Sequence, residues 1–120
     1  MKYALMVYET PEDMAILADP VKGPELMAAY FAYSSALDAA GVSVGGAGLH
    51  PPSTATTVRV RNGKRLVQDG PFADTKEQLG GFFLIDVPDL DTALMWAARC
   101  PGAATASIEV RAVLPEPPDA

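Results

Sequence analysis

Two stretches, "KYALMVY" at residues 2–8 and "GFFLID" at 81–86, are apolar or aromatic at nearly every position. A strand with one wet face alternates polar and apolar residues; a run that is apolar at successive positions is buried on both sides. The sheet that holds these strands therefore needs cover on two faces. The chain shows two clear helices to supply it. In "PELMAAYFAYSSALDAAG", Leu26, Tyr30, Tyr33 and Leu37 recur at i, i+4, i+7 and i+11, which is one helical face. Pro24 suits a first helical position, and Gly41 suits the residue just past the end. In "PDLDTALMWAARCPG", Asp89 is the expected N-cap and Pro101-Gly102 the stop. Two helices cover one face of a sheet, so a second copy of the chain is the simplest cover for the other.

The remaining segments set the topology. "TTVRVRNGKRLVQDG" reads as a hairpin, with β-branched residues alternating with arginines around Asn62-Gly63, a strong type I′ signal. "VSVGGAGLHPPSTA" begins as a strand and dissolves into glycines and prolines, and "SIEVRAVL" alternates cleanly as a last strand. "ETPEDMAILADPVKG", punctuated by Pro11, Pro20 and Gly23, is expected to be a loop with at most one helical turn. The order is β-α-β-(hairpin)-β-α-β. This is the ferredoxin-like α+β pattern β-α-β-β-α-β, with helices on one face of an antiparallel sheet. One domain is expected over residues 1–114, with a frayed tail at 115–120.

Bulk properties exclude several function classes. The formal net charge is -6, from 15 acidic and 9 basic residues, and no basic patch or run of like charge offers a surface for nucleic acid or anionic membrane. The single cysteine, Cys100, rules out a disulfide within the chain and fits a reducing, cytoplasmic setting. With one histidine and one cysteine, a transition-metal site from one chain is not expected. The first residues are too short for a signal segment, and no apolar run reaches membrane-spanning length. "GGAG" fails the dinucleotide fingerprint because Pro51 stands where its third glycine belongs, and there is no P-loop or nucleophile elbow. No cofactor is expected.

The densest chemistry lies in "DGPFADTKEQLGG", Asp69 to Gly81. Structurally, Asp69-Gly70 makes a turn, Asp74 or Thr75 caps a helical turn through "KEQL", and Gly80-Gly81 lets the backbone re-enter the sheet. Functionally, Asp69 lines a cleft, Lys76 supplies a cation beside Glu77, and Phe72 closes an apolar wall. The longer stretch "DGPFADTKEQLGGFFLIDVPDLDTALMWAARCPGA", flanked by "GVSVGGAGLHPPSTATTVRVRNGKRLVQ" and "SIEVRAV", resembles the DGPF domain family within the wider YCII-related group. The likeness covers almost the whole chain. It implies a ferredoxin-like domain that pairs into a dimeric α+β barrel, and a gene neighbourhood shared with extracytoplasmic-function sigma factors. YCII-type relatives carry a His–Asp pair in the dimer pocket. The matching positions here fall near Tyr30 and at Cys100, so that pair is not carried over, whereas the loop residues Asp69, Gly70, Pro71, Phe72, Thr75, Lys76, Glu77, Gly80 and Gly81 are.

Outside the loop, His50 in "GLHPPS" is the one imidazole, able to titrate near neutral pH as a general base or simply to sit solvated. Tyr8 ends the first strand, where pocket-facing side chains emerge, and Glu9 follows it toward the same mouth. Tyr30 and Tyr33 lie on the buried helix stripe, and Cys100 reads as inert packing. Two functional readings stand. In the first, a homodimer holds a small organic molecule near the loop through Tyr8, Phe72, Thr75, Lys76 and Glu77, with Asp69 or His50 moving a proton in an elimination or isomerisation. In the second, the chain is a non-enzymatic regulatory module that engages a protein partner linked to a sigma factor.

Overall fold

β1 (Lys2–Glu9) runs through the middle of a four-stranded sheet of order β2-β5-β1-β6, antiparallel to both neighbours. The computed structural model describes residues 1–73 and 75–117; the expected cap at Asp74 and the last three residues of the expected tail lie outside them. β2 (Ser43–Gly48) forms one edge, β6 (Ser107–Ala112) the other, and β5 (Gln78–Asp86) pairs with both β1 and β2. Three helices, α1 (Pro11–Ala18), α2 (Lys22–Ala39) and α3 (Leu90–Arg99), complete a ferredoxin-like α+β fold. β3 (Thr56–Arg61) and β4 (Lys64–Asp69) form a separate two-stranded sheet. Its turn places Asn62 at φ 53° and Gly63 at φ 74°, the two left-handed residues that a type I′ turn requires.

Local chemistry accounts for the helix ends. Asp89 caps α3 by accepting from the Thr92 amide at 2.8 Å, and Gly41 takes φ 72° just beyond α2. The segment expected to be a loop after β1 is instead the eight-residue α1. Pro11 does not break it because it occupies the first turn, where a missing N–H costs nothing. A capping box closes that turn: the Asp13 amide donates to Thr10 Oγ1 at 3.2 Å, and the Thr10 amide donates to Asp13 Oδ2 at 2.9 Å. α2 begins at Lys22, so Pro24 stands in its first turn and not at its first position. Asp19 Oδ1 accepts from the Val21 and Lys22 amides ahead of it. Gly23 marks the tight α1–α2 junction, where a Cβ would come within 2.5 Å of the Leu17 carbonyl oxygen.

The expected helix stripe faces inward. Tyr33 and Leu37 join Tyr3, Leu5, Val7, Ile85 and Trp96 in one core, against which Tyr30 packs. The Tyr33 hydroxyl donates to the Trp96 carbonyl at 2.7 Å, tying α2 to α3, and its ring meets Phe83 edge-on at 5.1 Å. The helices lie on one side of the sheet, where β1 contributes Tyr3, Leu5 and Val7; Ala4, Met6 and Tyr8 point to the opposite side and are half-buried. The molecule is a slab 49 × 46 × 18 Å with a radius of gyration of 16.3 Å, larger than the ~13.6 Å of a compact chain of this length.

Two outcomes follow from this frame. Tyr33→Phe leaves the Trp96 carbonyl without its buried donor, with an expected loss of about 1–3 kcal/mol in denaturant unfolding; an unchanged midpoint would contradict the tie. Burial alone would raise the Asp13 carboxyl, but hydrogen bonds from the Thr10 amide and the Thr105 and Thr10 hydroxyls outweigh it and hold the group below its ordinary 3.8. The unfolded chain then binds the extra proton, so this stabilisation is present above pH 3.8 and is lost as pH falls through the folded value. Thermal melts of the native protein are expected to steepen their fall below that point relative to Asp13→Asn.

Candidate functional site

A hollow lies where α2 passes over the β2–β5 edge of the sheet. β2, which reads "SVGGAG", contributes Ser43 and residues 45–48 to its lining. The hollow has a volume of about 580 Å³, within the usual range for small-molecule sites. Its walls are largely apolar, with Leu17, Met27 and Phe31 from the helical side and Phe82 and Phe83 from β5. No lysine or arginine lines it.

Glu9, the last residue of β1, reaches into this hollow across Gly80. A Cβ built on Gly80 would fall within 2.6 Å of Glu9 Oε2, so only glycine leaves the carboxylate its place. A register shift between Val7 and Tyr8 occurs just before Glu9 in the strand. Glu9 makes no hydrogen bond or ion pair among the described residues. Burial, and then the charge of Asp13, push its carboxyl above the ordinary 4.5.

Tyr30 of α2 lies along the same hollow, its ring stacked near Phe83 at a centroid distance of 6.4 Å. Its hydroxyl reaches the bend after α3, where a Cβ on Gly102 would lie 2.6 Å from it. Burial comes first among the effects that push this phenol far above its ordinary 10, followed by the neighbouring Cys100, Glu9 and Asp13. The Cys100 thiol lies beside the hydroxyl, is 2% exposed, and is itself raised, mainly by burial. Tyr30 and Cys100 are thus brought side by side.

The residues singled out from the sequence divide among separate places. His50 lines the mouth of the hollow from the exposed end beyond β2. Tyr8, Thr75, Lys76 and Glu77 line a second, more open depression with Thr10 and Ser107. Asp69 is exposed at the end of β4, opposite Thr56, and lines neither space. Phe72 is 77% exposed, with the Arg59 guanidinium 5.9 Å from its ring centre. The loop is held largely by its own groups. Thr75 Oγ1 donates to the Glu77 carbonyl at 2.6 Å, and Gln78 Nε2 donates to the Ala73 and Thr75 carbonyls at 2.9 and 3.1 Å. No helical turn forms through "KEQL"; β5 already begins at Gln78.

Among the described residues no cluster of three His, Cys, Asp or Glu side chains could hold a metal ion, and no helix is long and apolar enough to cross a membrane. Glu9 reaches the pocket as its place after Tyr8 suggests, and Tyr30 packs against the core as its stripe indicates while also lining the hollow; no local pattern signals that the two meet.

Comparison with known proteins agrees with the fold. A protein of Rhizobium meliloti (strain 1021), itself uncharacterised, is 51% identical over 65 residues, which is 52% of this chain and 52% of that protein. The chain therefore matches about half the length of this relative. The family model for the YCII-related domain matches residues 1–117, with every strand and helix described above inside the match. On that match, the chain belongs to the YCII-related domain family.

Proposed function

We propose that the chain acts as a homodimer that holds a small organic molecule in the α2–β2–β5 hollow and performs proton-transfer chemistry on it, an elimination or an isomerisation. The hollow itself carries this reading: largely apolar walls and a half-buried carboxylate without a partner among the described residues line a half-open space of about 580 Å³. The hollow, rather than the Asp69–Gly81 loop, is the centre of the proposal, with His50 at its mouth. The depression lined by Tyr8, Thr75, Lys76 and Glu77 is of similar volume, about 660 Å³, but more open to solvent and without an aromatic wall beyond Tyr8.

Pairing is supported by surface area. The chain exposes 8142 Å², about 1900 Å² more than the ~6200 Å² of a compact monomer of its mass. A standard interface removes roughly 800 Å² from each partner, so the excess is ample for one. The exposed valines of the hairpin, Val58, Val60 and Val67, add to the apolar surface awaiting cover.

A second reading rests on Phe72. A phenylalanine this exposed, on a loop pinned by its own hydrogen bonds, suits a protein partner of the sigma-factor-linked kind that the family resemblance implies.

Sedimentation is expected to give about 25 kDa, twice 12.6 kDa. A thermal-shift series of small aromatic aldehydes, ketones, phenols and carboxylates separates the two readings. One class is expected to raise the melting temperature by up to roughly 10 °C at a hundredfold excess over Kd. Ser34→Trp, which fills the hollow from α2, is expected to abolish that gain, and Asp69→Asn to keep it. A flat series, or a gain that survives Ser34→Trp, would remove the ligand reading and leave the protein-partner one.

A further inference from the structure

The hollow brings a carboxylate able to take a proton from carbon, with His50 at its mouth, together with a hydroxyl able to hold the oxygen that becomes charged. We infer that Glu9 is the catalytic base and Tyr30 the hydrogen-bond donor of this site, and that its substrates are neutral carbonyl compounds with an aromatic or branched apolar body. The inference rests on the reading that the hollow is the binding site, and it assigns the chemistry within it.

Glu9 has the character of a base and not of a structural carboxylate. A structural carboxylate in a half-buried position is normally met by a cation or by amide donors. Here the carboxylate lies over the bare backbone of Gly80, unpaired among the described residues. The charged and titratable groups that act on it are Asp13 from α1 and Tyr30 from α2, with His50 lining the same hollow beyond β2; β5 offers only the backbone of Gly80 and Gly81. Burial and the Asp13 charge strengthen its hold on a proton, which is the direction that abstraction from carbon needs.

Tyr30 complements it. Its hydroxyl stays protonated throughout the working pH range, and its hydrogen-bond partner is the Cys100 thiol, a weak acceptor, so its proton is available to a better one. The charge arithmetic also fits. Glu9 takes the proton on the carbon beside the carbonyl, the C–H pair becomes the new C=C bond, and the carbonyl π pair moves onto oxygen. That oxygen accepts the Tyr30 hydrogen bond. One negative charge leaves Glu9 as one appears on the substrate, so the site never holds more charge than it began with. Return of the proton to the same carbon gives exchange, and return to the next unsaturated carbon gives isomerisation; neither needs a co-reactant. An anionic substrate would instead add its charge to those of Glu9 and Asp13 with no lysine or arginine in the walls to offset it.

The test is deuterium incorporation in D₂O, followed by proton NMR, with phenylacetone and phenylacetaldehyde as probes and phenylacetate as the anionic control. Melting curves with the same compounds report binding separately. The native protein is expected to bind the two neutral probes and exchange their α-protons, with a rate that rises with pH through a midpoint above 4.5. Glu9→Gln is expected to keep the thermal gain, lose exchange by about 100-fold or more and flatten the pH profile. Tyr30→Phe is expected to slow exchange roughly 100-fold while leaving the midpoint in place. Binding without exchange, or exchange that survives Glu9→Gln, overturns the assignment but leaves the hollow as a binding site. Preferred binding of phenylacetate overturns the neutral class. Failure of every compound to bind overturns the binding reading and this inference together.

Discussion

Leu5 of β1, Ile85 of β5 and Leu37 of α2 are the largest side chains sealed completely from water, and they belong to one core between sheet and helices. Removing such side chains from water is worth about 1.5–3 kcal/mol each, and the return is largest where a strand is paired on both edges, as β1 is. This seam fixes the roll of α2. With Leu37 and Tyr33 turned inward, Tyr30, one turn earlier, must project along the sheet toward β5, where it meets Phe83. The side of the hollow that α2 supplies is thus determined by packing several residues away.

The sheet has an apparent weakness beside the site. β2 is an edge strand with three glycines in six residues, each worth roughly 0.5–1 kcal/mol less than alanine in such a position. At Gly46 a Cβ would come within 2.6 Å of the Phe82 carbonyl oxygen, so glycine there lets β2 lie close against β5. The strand gives up stability where it borders the candidate site, a common arrangement at functional sites.

What could be read from the chain depended on whether a signal was local. The Leu26, Tyr30, Tyr33, Leu37 stripe, the Asn62-Gly63 turn and the Asp89 cap each act over a few residues, and each stands in the structure as its pattern indicates. α1 was missed because two prolines bracket it and both read as breakers, although Pro11 sits where helices accept proline; the Thr10-x-x-Asp13 box was the overlooked sign. The Asp69–Gly81 loop drew attention by its composition, yet several of its polar groups satisfy one another. Glu9, Tyr30 and Gly80 come together from three distant segments, through strand register and helix roll. No spacing in the sequence announces that meeting.

The strand order has a consequence for how the chain is made. β1 pairs with no strand near it in sequence: Tyr8 meets Leu79 on one side and Ser107 on the other. On a ribosome adding about 5–20 residues per second, the apolar first strand waits roughly 4–15 s for β5 to be synthesised, and longer for β6. Until then both of its edges are open and its aromatic side chains are uncovered, the condition in which nascent strands stick to one another. α2, with its contacts local in sequence, is able to form early, and it carries the apolar stripe that will later cover β1. The helix that completes the core at the end of folding is therefore the first shelter available to its most vulnerable segment.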